Sequence, residues 1–319
     1  MIAPVTTQPA VDLQAELRAG MAARNARLMK LATYASVGVA STLIAAKAVA
    51  WAYTDSVSVL SSLLDSMLDG AASLVNLLAV RHALVPADRE HRFGHGKAES
   101  LAGLAQAAFI AGSALLLMME AVHRLVAPQP IAHGEAGIGV MVLAIALTAA
   151  LVAFQRYVAR TTKSLAIRAD ALHYRGDVLL NGSVIVSLLL SMNLGWQLID
   201  PVIGSAIGVY ILASAYAIAR DSLHALMDRE LADEDRAKIR AIALSHPEVR
   251  NLHDLRSRAA GPNIFIQFHL ELGADMSLRR AHEISDPVEA EILAAFPPAE
   301  ILIHQDPEGV AEARKTFVH

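Results

Sequence analysis

Two pairs of ionisable residues stand inside stretches that are otherwise apolar. Ser56 to Asn76, SVSVLSSLLDSMLDGAASLVN, carries Asp65 and Asp69, and Ser164 to Leu190, SLAIRADALHYRGDVLLNGSVIVSLLL, carries His173 and Asp177. Each pair is spaced by four, so a helix stacks its two members on one face. An aspartate near the centre of a membrane helix costs roughly 2.5–3.5 kcal/mol on insertion scales, so two cost about 5–7 kcal/mol that leucine would avoid. Two such helices face to face would bring three carboxylates and one imidazole, Asp65, Asp69, His173 and Asp177, to a shared point. That is a four-ligand set for a divalent cation. The blander reading, polar residues that only pair helices, leaves four costly groups at matched spacings without a use.

The elements that must position these residues follow from composition. The chain of 319 residues is 55% hydrophobic and 18% charged, with a mean hydropathy of +0.42, which suits a polytopic membrane protein. Its net charge of −4 is small, and nucleic acid is excluded as a partner. Cysteine is absent, so neither a disulfide framework nor a thiolate site can form, and any metal must be held by His, Asp and Glu. Such ligands favour borderline and hard divalent ions over copper(I). The N-terminal sequence lacks the apolar core and cleavage site of a signal peptide and is expected to be retained.

Six apolar segments can span a bilayer: Leu28–Tyr53, Ser56–Leu84, Leu101–Val126, Ala136–Val158, Ser164–Met192 and Pro201–Leu226. Basic residues collect on one side, at Arg18, Arg24, Arg27 and Lys30, then Arg81, Arg89, Arg92 and Lys97, then Arg156, Arg160, Lys163 and Arg168. The positive-inside rule therefore puts both termini in the cytoplasm. Asp170, three residues before His173, is expected to be solvated near the cytoplasmic mouth. No HExxH or comparable base motif occurs in the membrane segments, which argues against a membrane metalloenzyme.

From Arg229 the character changes. An amphipathic helix with an acidic first turn leads into alternating strands at Val249–Arg258 and Asn263–Leu272, joined by a Gly261-Pro262 turn. A second helix, continuing through Pro287, and a short strand at Glu300–His304 complete an α-β-β-α-β order, which predicts a small open sheet covered by helices on one face. The expected organisation is a cytoplasmic N-terminal arm (1–26), an all-α six-helix transmembrane domain (27–228) and a small α+β cytoplasmic domain (229–319).

The motifs LLDSMLDGAASLVNLLAVR, ADREHRFGHGKAESLA, RADALHYRGDVLLN and the late HQDP resemble the cation diffusion facilitators, most closely the bacterial ferrous-iron and zinc efflux branch. The likeness runs from about Arg24 to Pro307. It implies a homodimer in the bacterial inner membrane, a metallochaperone-like cytoplasmic domain and exchange of divalent metal for protons. It implies a transport site at Asp65, Asp69, His173 and Asp177, and a second site in the loop PADREHRFGHGK at Asp88, His91 and His95. A binuclear site in the soluble domain is implied at His253, His269, His282, His304 and Asp306. Lys97 and Asp228 would form an interprotomer charge interlock. His82, His123, His133, His224, His246 and His319 match no ligand position, and the arm to about Gly20 departs from the branch.

The expected function is therefore export of a divalent metal, Zn2+ first, with Cd2+ or Fe2+ as the other ions, against entering protons. Zinc would be both cargo and structural ion. The competing readings are a membrane-bound metal sensor and a passive metal uniporter.

Overall fold

The computed structural model describes residues 8–54, 57–126, 135–194, 199–297 and 299–310. The chain divides into a helical unit, Asn25–His224, and a second unit that takes in the start of the first helix up to Arg24 and the chain from Ala225 onward.

The helical unit is built from α1 (Gln8–Thr54), α2 (Val57–Ala83), α3 (Lys97–Val126), α4 (Glu135–Thr162), α5 (Leu165–Leu194) and α6 (Ile199–Leu226). The segment read as an N-terminal arm is already helical from Gln8, continuous with the first span. Among the described residues, Gly20–Tyr53, Ser62–Ala83, Lys97–His123, Val142–Thr162 and Pro201–Leu226 are long and apolar enough to cross a membrane. Beyond Asp177 the sequence of α5, VLLNGSVIVSLLLSMNL, is apolar in the same way. Large apolar side chains such as Leu68 and Leu78 on α2, Leu116 and Met119 on α3, and Val209 and Tyr216 on α6 stand exposed, a surface suited to hydrocarbon rather than water. The chain is an integral membrane protein.

Helix α5 is the axis of this unit. Its Ala169 and Leu172 pack with Ala107 and Ile110 of α3 and Ile211 and Ala215 of α6. On other faces Ala166 and Ile167 meet Met29 of α1, Val80 of α2 and Val158 of α4, and Tyr174 meets Leu151 and Val152 of α4. Its N-terminus is capped by Ser164, whose Oγ accepts the Ile167 N–H at 3.1 Å, and by the buried Glu99 of α3, which accepts the Ala166 N–H at 3.4 Å.

The expectation that Asp170 is solvated is overturned. Asp170 is fully buried, and its Oδ2 accepts from Ser36 Oγ of α1 at 2.6 Å and Gln155 Nε2 of α4 at 2.7 Å. One turn on, the Tyr174 hydroxyl lies 2.7 Å from Ser73 Oγ of α2. A carboxylate at this depth is tolerable only with such donors; spacing along α5 alone could not reveal that α1 and α4 supply them.

The second unit follows the expected α-β-β-α-β order: α7 (Asp233–Ser245), β1 (Asn251–Ala260), β2 (Asn263–Leu272), α8 (Leu278–Ala295) and β3 (Ala299–Pro307). The sheet order is β1-β2-β3, with β1 antiparallel and β3 parallel to the central β2. The tight β1–β2 turn needs Gly261, whose φ is 58°. Alternation sorts the faces. Ile266, Phe268, Leu270 and Leu272 of β2 pack on Ile239 of α7 and Ile284, Val288 and Ile292 of α8, and the next residues along β2 face the other way. Helix α8 starts at Ser277, whose side chain accepts the Arg280 N–H, and runs through Pro287.

Replacing Gln155 with Leu should leave Asp170 short of a donor at a cost of about 1–3 kcal/mol. The expected outcome is a melting temperature several degrees lower in detergent, without loss of bound zinc; unchanged stability would show that this network does not hold the bundle.

Candidate metal centres

Three of the four residues in the two sequence pairs meet. Each of Asp69 of α2 and His173 and Asp177 of α5 offers a ligand atom, and these atoms all lie within 4.8 Å of one another. His173 Nε2 is 3.1 Å from Asp69 Oδ1 and 3.9 Å from Asp177 Oδ2. That nitrogen is buried and within ion-pairing distance of both carboxylates. The Phe109 and Tyr174 rings flank the imidazole, with centroids at 5.8 and 5.3 Å. Asp65, one turn from Asp69, stands outside this tight triad but lines the same cavity of about 190 Å³ with Asp69 and Asp177.

The loop between α2 and α3 gathers its three residues as well. Asp88 Oδ1 is 3.3 Å from His91 Nδ1, its Oδ2 is 3.4 Å from His95 Nε2, and the two imidazole centroids are 4.5 Å apart. The backbone N–H of His91, with that of Glu90, holds the Asp88 carboxyl below the usual carboxylate range, helped by the two imidazoles. The charged carboxylate is thereby fixed in place. The His82 ring, set aside on sequence grounds, packs edge-on to His95 at 4.7 Å.

In the soluble unit the strand register performs the assembly. His253 of β1 pairs with His269 of β2, and His269 with His304 of β3, so three imidazoles form one row across the sheet, on the face away from α7 and α8. Asp306, two residues beyond His304, shares that face and bridges the row. Its Oδ2 is 2.7 Å from His269 Nδ1 and 3.3 Å from His253 Nε2, and its Oδ1 is 3.1 Å from His304 Nε2. A carboxylate with nitrogens on both oxygens has the form of a bridging ligand. Just past His253 the register slips, and Asp254 takes a φ of 51°. His282 is not brought into this group: it is exposed on α8, 3.6 Å from Asp286. Gln305 points to the other face and donates to Ser285 of α8 at 2.9 Å.

Asp228 accepts from Arg258 Nη1 at 3.1 Å within the second unit. His246 receives the Glu248 N–H at 3.3 Å, and His133 and His319 lie outside the described residues.

Residues 33–227 match the family model described as the cation efflux transmembrane domain, and residues 231–308 match the cation efflux protein cytoplasmic domain. The chain belongs to the cation efflux family. The cation-efflux pump FieF of Klebsiella pneumoniae is 49% identical over 287 residues, covering 90% of this chain and 95% of the relative. FieF of Salmonella agona is 48% identical over 291 residues, covering 91% and 97%. Among solved structures, the zinc form of CzrB, described as a candidate zinc transporter, is 34% identical over 27% of this chain and 99% of its own. Its TM-score is 0.25, too low to bear on the fold. As a cation efflux protein the chain is a transporter and not an enzyme.

Two residues of this cation efflux protein escape a reading by spacing. Lys47 of α1 lines the cavity of Asp65, Asp69 and Asp177; the signal was its solitude in an apolar span, the same cost argument that singles out the aspartates. Glu271 of β2 sits 2.8 Å from His253 Nδ1, and its signal was the alternation that puts residues 269 and 271 on one face.

Because Asp306 touches all three imidazoles of the row, Asp306→Ala should lower the zinc retained by the full-length protein more than His304→Ala. Elemental analysis after gel filtration checks this, and equal retention by both variants would contradict the bridging geometry.

Proposed function

We propose that this cation efflux protein exports a divalent metal, Zn2+ before Cd2+ or Fe2+, from the cytoplasm in exchange for protons. The observation that carries the reading is the Asp69, His173 and Asp177 triad inside a membrane bundle, with Asp65 on the same cavity. One imidazole among carboxylate oxygens suits Zn2+, which accepts a tetrahedral N,O set, while Mn2+ prefers more oxygen ligands. Proton coupling follows from the donors. An imidazole titrates near pH 6.5 in its unperturbed state, crowded carboxylates hold protons more tightly, and a site that is protonated cannot also hold a metal. A site open to one side at a time then loads metal on one side and is emptied by protons on the other.

The remaining sites complete the proposal. Asp88, His91 and His95 would bind a further ion in the loop. His253, His269, His304 and Asp306 would hold zinc in the soluble domain, without His282. Both termini would lie on the cytoplasmic side of the bacterial inner membrane, as the basic residues favour. A homodimer is supported by the match of residues 231–308 to a dimer-forming cytoplasmic domain, and Lys97 with Asp228 would lock it.

In proteoliposomes with metal on one side, wild type should carry zinc and Asp177→Ala should not, while remaining folded, because removing one carboxylate also relieves like-charge crowding in the membrane. Wild-type flux in a folded Asp177→Ala protein would remove this site from transport. A membrane-bound sensor would show no flux at all.

Between about pH 5 and 8, protons compete with the metal for the donors of this site. Zinc affinity should fall as pH drops through that range, and an inward proton gradient should drive metal outward. His173→Asp should still bind divalent ions but change both the pH profile and the zinc-to-cadmium preference. Zinc flux indifferent to the gradient, with an ionophore as control, would make the protein a uniporter.

A further inference from the structure

Lys47 is a charged residue in a membrane span, Gly20–Tyr53, that neither the ligand set nor the Asp170 network uses. A lysine in such a place is costly and needs a partner. Its Nζ donates to the Ser62 carbonyl oxygen at 3.1 Å and to Ser66 Oγ at 2.7 Å, both on α2, the helix that carries Asp65 and Asp69. It is only partly buried, and it lines the cavity of about 190 Å³ shared with Asp65, Asp69 and Asp177. The two serine contacts hold the ammonium beside the carboxylates while leaving carboxylate lone pairs to another cation.

We propose that Lys47 is a built-in counter-charge that sets the charge of the membrane site to match a divalent ion. This rests on the transport reading above. With metal bound the ligands are deprotonated, so Asp65, Asp69 and Asp177 contribute three negative charges and His173 none. The Lys47 ammonium reduces that to two, which one divalent ion cancels. Without Lys47 the occupied site would keep one negative charge in surroundings of low dielectric, and the ion would be held more tightly. A transported ion must bind well enough to enter and weakly enough to leave. Lys47 therefore acts on affinity and release without touching the ion, as a charge-setting residue and not a ligand.

The test measures zinc affinity by equilibrium dialysis and zinc flux in proteoliposomes, on full-length protein carrying His91→Ala, His253→Ala and His269→Ala to silence the other sites. Lys47→Met should bind zinc on the order of tenfold more tightly, with a lower KM and a lower maximal flux. Lys47→Arg, which keeps the charge, should stay near the parent. Ser66→Ala, which removes one anchor and keeps the ammonium, should change affinity about twofold or less. If Lys47 only ties α1 to α2, Lys47→Met and Ser66→Ala would lower the melting temperature together and leave zinc affinity alone, which overturns the proposal. Unchanged or weaker affinity in folded Lys47→Met overturns it too, and Lys47→Gln gives the same readings if the Met variant does not fold. The dialysis result stands apart from flux: a parent protein that binds zinc but carries none would fail the transport reading while leaving the charge argument to be decided by affinity.

Discussion

Carboxylates in a hydrocarbon slab are the constraint from which the rest of this molecule follows. Asp65, Asp69 and Asp177 are each expensive there, and their mutual repulsion adds to the cost, so the bundle has to supply either compensating cations or a reason to tolerate them. The arrangement does both. His173 and Lys47 are placed against the carboxylates, with the buried His173 Nε2 at 3.1 Å from Asp69 Oδ1. Holding such a site requires a stiff support. Helix α5 provides it by packing against α1, α2, α3, α4 and α6 and by anchoring Asp170 and Tyr174 to the three helices α1, α2 and α4. The polar residues next to the cluster are thus bonded between helices.

The soluble unit solves a similar problem with different means. A sheet whose one face is covered by α7 and α8 presents the other face for use, and strand pairing at fixed register turns His253, His269 and His304 into a row. Asp306 and Glu271 fall beside that row because side chains on a strand repeat every two residues. A slip of one residue in β3 would turn His304 and Asp306 toward the helices and bring Ile303 and Gln305 out, so the apolar pattern that fixes the register also fixes this cluster of imidazoles and carboxylates.

Much of this was legible in the sequence because it depends on periodicity. The four-residue spacings predicted the meeting of Asp69, His173 and Asp177, and the switch from period 3.6 to period 2 after Arg229 predicted the α-β-β-α-β order. What was not legible depends on which helices become neighbours. Asp170 looked solvated because its donors, Ser36 and Gln155, lie far away in sequence. Lys47 belongs to no spaced pair, and its role shows only once α1, α2 and α5 line one cavity. Asp65 matches Asp69 in type and face, yet stands a turn away from the tight triad, a difference that spacing cannot express.

The most direct test of the account is the coordination of zinc at the membrane site itself. Zinc X-ray absorption on full-length protein carrying His91→Ala, His253→Ala and His269→Ala should report about one ion per chain with a single imidazole and otherwise oxygen neighbours, at about 2.0–2.2 Å. Loss of that ion on adding Asp177→Ala would complete the result. Two or more imidazoles around the metal, or zinc retained without Asp177, would contradict the assignment of Asp65, Asp69, His173 and Asp177 as the site through which the cation passes.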